Sequence, residues 1–382
     1  MENPTDTPKT IIYLDQSVIS NLEKLLDPEF PRREQVLKDP FWLELFTTLD
    51  RLLSLQLIVC PDSYYHRTES LLSAEFNALQ DVYSHLSNDC TFHDEARILG
   101  RQLLVCFRNY LEGYPERESV IDVSEVVNGD LHAWQDRIRV TVPYRPAAGE
   151  KTMYGEQRAK LHSALVESFK QWQQDATPFS IAMEEEAQVF GRAILESFLH
   201  PQNKRNHFEW LLSPAVSLVF DMFKVLERYA VTNPFEQLQR VSQYLLSPHL
   251  LLRVPYVRLQ SMLYASIARK AQAGRQSLPN EGTITDVTAI SALLQYCKAM
   301  FVDREMAGYL REIPLKDEVA HFGTRIFSLR VKEKFLEYLQ EIEERAGERH
   351  LKVVKMFYGE RWLRPFLSLV AQGRRSRARG AK

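Results

Sequence analysis

Two short apolar stretches of the sequence, far apart along the chain, each end in an aspartate. Residues 10–15 end at Asp15, and residues 299–303 end at Asp303. An apolar run that ends in an acid is typical of a buried strand in a parallel sheet, with the acid at the carboxyl edge. Ligands of open α/β sheets bind beyond that edge. If the two strands are neighbours, we expect their carboxylates to lie close together.

Two further acids, Glu69 and Asp286, fall early in predicted helices and can face the same crevice. Close carboxylates can all ionise only when a cation lies between them; otherwise the pKa of one rises. Oxygen ligands favour Mg²⁺ or Mn²⁺, which also bind water and phosphate oxygens. Such an ion activates water and offsets charge on an attacked phosphate. The four acids therefore predict a metal site for phosphodiester hydrolysis.

The elements around these acids predict an α/β fold at both ends of the chain. Strands alternate with helices, an order that favours a parallel sheet with right-handed crossovers. A helix is expected near Ser17, and the dipeptide Asp39-Pro40 supplies a capping residue and a first-turn proline. The predicted elements are strands 10–15, 57–60, 299–303 and 324–329, helices 39–56, 286–298 and 304–311, and two helices within 331–370.

The middle of the chain predicts helices with almost no strand signal. An alternating piece at 138–142 is either a hairpin arm or a loop, and a loop is expected around 140–151. Helical periodicity covers residues 92–111, 155–172, 181–199, 208–229, 234–246 and 255–273.

We therefore predict one α/β domain that a large helical insertion interrupts. The basic tail is expected to be disordered, since it holds five basic residues among Gly, Ser and Ala. The predicted parts are 10–89 and 282–345 for the domain, 90–281 for the all-α insertion, 346–372 for a C-terminal helix and 373–382 for the tail.

Four stretches in order along the chain resemble the acidic motifs of PIN-domain proteins. Residues 12–20, Ile-Tyr-Leu-Asp-Gln-Ser-Val-Ile-Ser, resemble the opening motif, in which a strand-ending Asp precedes a small polar residue and an apolar pair. Residues 60–63 with Glu69 resemble the second strand and its acidic helix. Residues 286–290 and 296–305 are similar to the third and fourth motifs. The chain looks most like a PIN-like branch with a long inserted segment.

The resemblance implies a PIN-like three-layer α/β/α fold with a mainly parallel sheet. It also implies a Mg- or Mn-dependent ribonuclease in which Asp15, Glu69, Asp286 and Asp303 are the catalytic and metal-binding acids. It covers roughly residues 10–85 and 282–345, and by family analogy alone it suggests a regulated toxin or antiviral defence effector.

Two small polar residues are expected to support those acids. Ser17 and Ser63 would hydrogen-bond to the acids or to metal-bound water. The sequence departs from the family pattern at two places. Lys298 stands where relatives often carry an acid after the Cys, and Gln16-Ser17 replaces the commoner Thr-Asn.

Three other polar residues near the predicted crevice have ordinary structural explanations. Asp62 and Glu305 are expected to cap helices or lie on the surface. His66, close to a helix start, is expected to be structural rather than catalytic.

Overall charge does not favour a polyanion partner, because 48 Lys and Arg nearly balance 50 Asp and Glu. Local groups in the insertion could still bind RNA, with single-stranded RNA preferred over duplex, since bases stack on aromatic side chains and phosphates pair with basic ones. Solvated helix faces produce the same composition. A protein regulator and a homo-oligomer are both compatible with the sequence. The insertion residues concerned are Lys151, Arg158, Lys160, Lys204 and Arg205, amid Tyr154, His162 and Trp210.

Several other classes of protein lack support. No run of 18 apolar residues and no N-terminal apolar segment is present, so we expect no membrane segment and a cytoplasmic location. The four cysteines are scattered, which fits a reducing compartment. Motifs of ATP-binding loops, zinc proteases and serine esterases are absent.

Two alternatives to a ribonuclease remain open at this stage. One is an inactive PIN-like scaffold that binds RNA or protein. The other is a DNA structure-specific nuclease of related topology, although the near-zero net charge disfavours it.

Overall fold

A four-stranded parallel sheet forms the centre of the α/β part of this computed structural model. The structure describes residues 4–5, 7–27, 30, 33–119, 121–135, 147, 149–200 and 210–359. The strands of the sheet lie in the order β2-β1-β5-β6, and all three pairings are parallel. The mixed α/β class and the parallel sheet are therefore confirmed. The strands are β1 (Thr10–Leu14), β2 (Ile58–Val59), β5 (Ala299–Phe301) and β6 (Arg325–Phe327).

Short polar residues start several helices of the first segment. Asp39 accepts a hydrogen bond from the backbone of Phe41, and Pro40 occupies the first turn, as the sequence predicts. The predicted helix over 39–56 accordingly spans Pro40–Ser54. The helices of this segment are α1 (Gln16–Leu26), α2 (Arg33–Leu37), α3 (Pro40–Ser54), α4 (Tyr64–Leu71) and α5 (Phe76–Ser87).

The middle segment is mainly helical, but it is not free of strands. Thr91–Phe92 (β3) pairs antiparallel with Val127–Asn128 (β4), so the helix expected from residue 92 starts later, where Asp94 caps Glu95–Leu111. A strand of two residues is too short to show the alternation of apolar and polar residues by which strands are predicted. The helices are α6 (Glu95–Leu111), α7 (Glu150–Trp172), α8 (Phe179–Leu199), α9 (Pro214–Arg228), α10 (Pro234–Leu245), α11 (Pro248–Leu251) and α12 (Pro255–Gln272).

Some predicted features lie outside the described residues. These are the alternating piece at 138–142, the first part of the loop at 140–151, the basic pair Lys204 and Arg205, and the tail at 373–382. Among the described residues, no helix combines the length and apolar character needed to span a bilayer.

The last segment returns to α/β structure and begins slightly earlier than predicted. The helix expected over 286–298 spans Thr283–Leu293, followed by a 3-10 turn, which puts Asp286 in its first turn. The predicted C-terminal helix is described only as far as Gly359. The helices are α13 (Thr283–Leu293), α14 (Arg304–Tyr309), α15 (Leu315–Phe322), α16 (Lys332–Glu344) and α17 (Glu348–Tyr358).

Side chains of β1 alternate between two hydrophobic cores, as expected for a parallel sheet buried on both faces. Ile12 and Leu14 pack with apolar residues of α1, α3, α5 and α16. Ile11 and Tyr13 belong to a larger core that continues without interruption into the middle helices, where it includes Phe169 of α7. The middle segment therefore stabilises the sheet directly. The domain boundaries themselves stay a prediction.

Replacing Gly191 of α8 with alanine should destabilise the protein. A Cβ there would lie 1.9 Å from the carbonyl oxygen of Leu245 and 2.8 Å from Cδ1 of Leu251. Relief requires the helices to move apart, so we expect the free energy of unfolding in urea to fall by about 1–3 kcal/mol.

The matched control is Gly100→Ala in α6. Its Cβ would lie 4.0 Å from the nearest side-chain atom, Cδ1 of Leu218. Alanine in an open helix position should raise the free energy of unfolding by about 0.5–1 kcal/mol. Equal effects of the two substitutions would contradict the close approach at Gly191.

Candidate active site

Strand pairing brings Asp15 and Asp303 to the same edge of the sheet. Leu14 and Phe301 are register partners in neighbouring parallel strands. The backbone N–H of Asp15 donates to the carbonyl of Phe301 at 2.9 Å. Asp303 lies two residues after Phe301. The residue between them, Val302, donates its backbone N–H to the carbonyl of Phe327 in the adjacent strand. Both acids therefore lie at the carboxyl edge.

Each of these aspartates also caps a helix. Oδ2 of Asp15 accepts from the backbone N–H and from Oγ–H of Ser17, at 3.4 and 2.6 Å. Oδ1 of Asp303 accepts from the backbone N–H of Met306 at 2.6 Å. Capping is the ordinary reason for an aspartate at a strand-to-helix junction. Here it also fixes where each carboxylate can point.

Glu69 and Asp286 approach one another across the start of α13. A Cβ built on Gly282 would lie 3.7 Å from Oδ2 of Asp286 and 4.0 Å from Oε1 of Glu69. Asp286 lies in the first turn of α13, where the helix dipole favours a negative charge. Glu69 belongs to α4, which follows β2. Two helices from distant parts of the chain thus present their acids to one space.

Electrostatic interactions join all four carboxylates into one acidic cluster (Asp15, Glu69, Asp286 and Asp303). Desolvation, and then repulsion from Asp15, raise the pKa of Glu69 to about 7. Desolvation raises the pKa of Asp286 well above its usual range, with further contributions from the three other members and from Glu305. Desolvation also raises the pKa of Asp303, with repulsion from Asp15 adding to it. Without a cation, these three acids therefore tend to take up protons rather than to stay ionised together.

Side-chain positions in the cluster do not yet form a ready metal site. Across the described residues, no three His, Cys, Asp or Glu side chains are arranged to hold one metal ion. Repulsion between carboxylates favours rotamers that keep them apart. Joint binding of an ion therefore requires at least one of these side chains to rotate.

His66 supports the site from inside the protein. It is 2% exposed and lies between the rings of Tyr13 and Tyr83, with ring centroids 5.0 and 4.7 Å away. Its Nε2 lies 2.8 Å from the carbonyl oxygen of Leu14. Because a carbonyl only accepts, this nitrogen carries the hydrogen. The structural role expected for His66 is thus to hold the backbone directly before Asp15.

The dipeptide before α4 is also structural. Asp62 accepts from the backbone of Ser63 at 2.7 Å and from Nε of Arg67 at 2.9 Å. Oγ of Ser63 accepts from the backbone of His66 at 3.2 Å. Ser63 is therefore placed as the cap of α4, and its described bonds do not reach the acidic cluster. Of the two serines proposed to support the acids, Ser17 is the one that contacts a member.

Gln16 positions a neighbouring helix through contacts that the sequence did not predict. Its Nε2 donates to Oγ of Ser70 at 3.2 Å, and its Oε1 accepts from the hydroxyl of Tyr83. Ser70 is the neighbour of Glu69 on α4. Gln16 thus ties the helix after Asp15 to the helix that carries Glu69.

One arginine acts on the cluster directly, a second pairs with a neighbouring acid, and a lysine lies away from it. Arg275 forms a two-point ion pair with Glu305 at 2.6 and 3.0 Å. Arg158 of α7 lowers the pKa of Glu69. Lys298 is exposed and precedes β5, at the opposite edge of the sheet from Asp303. A fifth acid at position 298 would therefore not have reached this site.

No family model, no curated protein and no solved structure matches this chain.

Glutamine at position 69 should stabilise the metal-free protein at alkaline pH. The pKa of Glu69 is raised from 4.5 to about 7 in the folded state. Its proton therefore stabilises the fold fully below pH 4.5, and that contribution is lost as the pH rises through 7. Glutamine imitates the protonated acid, so Glu69→Gln should add about 1–3 kcal/mol at pH 8. Urea denaturation with EDTA at pH 5 and pH 8 measures the gain.

Glu44→Gln is the control, because Glu44 is exposed on α3. It should change the stability equally at both pH values. A gain for Glu69→Gln that does not grow between pH 5 and pH 8 would show that Glu69 ionises normally.

Proposed function

We propose that this chain is a PIN-like, divalent-metal-dependent ribonuclease that hydrolyses RNA phosphodiester bonds at the acidic cluster. The observation that carries the proposal is the convergence of four carboxylates from separate segments: Asp15 and Asp303 share one sheet edge, Glu69 and Asp286 both lie near Gly282, and Asp15 raises the pKa of the other three. The PIN-like three-layer fold belongs to the same proposal. A parallel sheet with a hydrophobic core on each face supports it.

The donor chemistry of the cluster fits Mg²⁺ or Mn²⁺. Carboxylate oxygen donors suit a hard cation, and an ion bound among them would favour the ionised forms of Glu69, Asp286 and Asp303, whose pKa values are raised without it. The residues that would hold the ion are Asp15, Glu69, Asp286 and Asp303. When bound, the ion would activate a water molecule and neutralise charge on the attacked phosphate.

The protein's own side chains then have defined tasks. Ser17 and the backbone N–H of Met306 keep Asp15 and Asp303 at the rim. Gln16, through Ser70, keeps α4 in place beside them. Asp15 and Asp303 follow strand ends, Asp286 lies in the first turn of α13, and Glu69 lies in the last turn of α4 rather than early in the helix as the sequence predicts. Because none of them sits in a long loop, their backbone positions are fixed before substrate arrives.

The biological setting is proposed by family analogy alone. It is a cytoplasmic toxin or defence nuclease controlled by a protein partner or another trigger. Single-stranded RNA is the proposed substrate, with the middle helices selecting or gating it.

A second candidate is a PIN-like scaffold that binds RNA or protein without cleaving. One observation favours it: in the described ranges no three acidic or metal-binding side chains stand ready to share an ion. The two candidates differ in whether the acidic cluster can close around a divalent cation.

Calorimetric titration with Mn²⁺ separates these candidates. Because Glu69 carries a proton up to about pH 7, an ion that binds it should displace protons and bind more tightly at pH 8 than at pH 6. Removing even an outer partner of a metal ligand costs roughly 10–100-fold in affinity. Asp286→Asn should therefore lower the affinity for Mn²⁺ by at least the same factor. A scaffold would give no heat of binding, and Glu44→Gln should titrate like the wild type.

Cleavage assays test the chemistry and the nucleic acid together. Wild-type protein with Mn²⁺ should degrade single-stranded RNA from a mixed pool and should be inactive in EDTA. Asp303→Asn should cleave RNA roughly 100-fold more slowly or worse, which is the usual effect of losing one electrostatic contribution to a transition state. The Glu44→Gln variant should retain full activity.

The outcomes of these assays are distinct. Faster cleavage of a flapped DNA duplex would favour the DNA nuclease. Equal cleavage by wild type and Asp303→Asn would place the active centre elsewhere.

A further inference from the structure

The long helix α7 of the middle segment lies along the rim that carries the acidic cluster. The hydroxyl of Tyr154 lies 3.2 Å from that of Tyr64, at the first turn of α4. Nε2 of His162 lies 3.1 Å from the carbonyl oxygen of Pro279, shortly before α13. Arg158 falls between these contacts, one helical turn from each. The same face of α7 therefore spans α4 and the approach to α13.

Arg158 lies close enough to Glu69 to lower its pKa, and its ion pairing within the described chain is weak. Its Nε lies 3.8 Å from Oε2 of Glu281, too far for a hydrogen bond. That nitrogen is buried and makes no hydrogen bond within the described chain. Glu281 has a side chain that is 66% exposed, so this ion pair contributes little. The Arg158 side chain as a whole is 30% exposed, so part of it remains accessible to an oxygen-rich ligand.

The other arginine near the cluster is already occupied. Arg275 is bound at two points by Glu305 and also donates to the hydroxyl of Tyr309 at 2.8 Å. Its donors are committed to holding α14. Arg158 has no comparable partner in the part of the chain described here, which leaves it as the better candidate for contact with a substrate.

A nucleic-acid phosphate that approaches four carboxylates meets repulsion, and a cation must offset it close to the reacting bond. Guanidinium groups bind phosphate through two parallel hydrogen bonds, with fixed direction. We propose that Arg158 anchors a phosphate of the RNA substrate beside the acidic cluster, so that the middle segment supplies a substrate-binding residue to the nuclease site. This assignment rests on the proposed function.

Binding without cleavage isolates this role. Ca²⁺ replaces Mn²⁺, and fluorescence anisotropy reports the affinity of a labelled, mixed-sequence 12-nucleotide RNA. Arg158→Gln should weaken binding by roughly 10- to 100-fold, the range for a lost hydrogen bond to a charged group. Arg192→Gln, which removes an exposed arginine from α8, should bind like the wild type. Thermal unfolding checks that both variants fold.

A modified RNA separates phosphate contact from a structural effect. RNAs that carry one uncharged methylphosphonate at successive positions are compared with the wild type and with Arg158→Gln. If Arg158 binds one phosphate, neutralising that phosphate should weaken the wild type to the level of the variant, and the variant should lose nothing further. Arg158→Lys, which keeps the charge without the fork of donors, should fall between them.

Each outcome bears on one proposal. Unchanged RNA affinity in Arg158→Gln, or an equal loss at every methylphosphonate position, would overturn the anchor. If Arg158→Gln fails to fold, the test relies on Arg158→Lys and on the methylphosphonate series with wild-type protein. In that series, the absence of one phosphate position that is sensitive to neutralisation would also overturn the proposal. If RNA binding depends on Arg158 but no RNA is cleaved in Mn²⁺, the proposed phosphate contact of Arg158 would be supported and the proposed nuclease activity would be refuted.

Discussion

Repulsion between carboxylates at one sheet edge is the constraint that the surrounding structure accommodates. Asp15 sits in the middle of it, because its charge raises the pKa of each of the other three members. It is held there by a hydrogen bond that its carboxylate accepts from Ser17 and by one that its backbone N–H donates to the carbonyl of Phe301. Behind it, the stacked ring of His66 fixes the carbonyl of Leu14. The protein thus restrains the one acid that most disturbs its neighbours.

The same constraint explains why the helical segment is part of the core. The strands that precede Asp15 and Asp303 pair with each other although residues 15–298 lie between them in the chain. Closing so long a loop costs entropy, which must be recovered through contacts. The core shared by Tyr13 of the sheet and Phe169 of α7 provides such contacts. Folding the middle helices and assembling the site are therefore linked.

How much of this the sequence could reveal depends on the range of the interaction. Asp15 and Asp303 were predictable, since a buried strand that ends in an acid has a local signature and parallel strands share an edge. Asp286 was assigned to a helix start from local pattern, and it lies in the first turn. The β3–β4 pair was missed because each strand has only two residues, one polar and one apolar, whereas the equally short β2 lies within the apolar run 57–60. The tie from Gln16 to Ser70, and the place of Arg158, depend on packing between distant helices, for which no local pattern exists.

A raised pKa does not by itself identify a functional site, and the chain contains its own comparison. Glu186 of α8 also has a pKa raised to about 7, by desolvation and then by its sequence neighbour Glu185. One helix supplies both charges, and ordinary burial accounts for the shift.

The acidic cluster differs because four segments must converge to create it. A charge held away from water without full compensation costs about 1–3 kcal/mol of stability, and a neutral amide of the same shape would avoid that cost. Helix capping explains the presence of Asp15 and Asp303. It does not explain why Glu69 and Asp286 also face the same space. This convergence, rather than any single raised pKa, is the feature on which the proposed cation site rests.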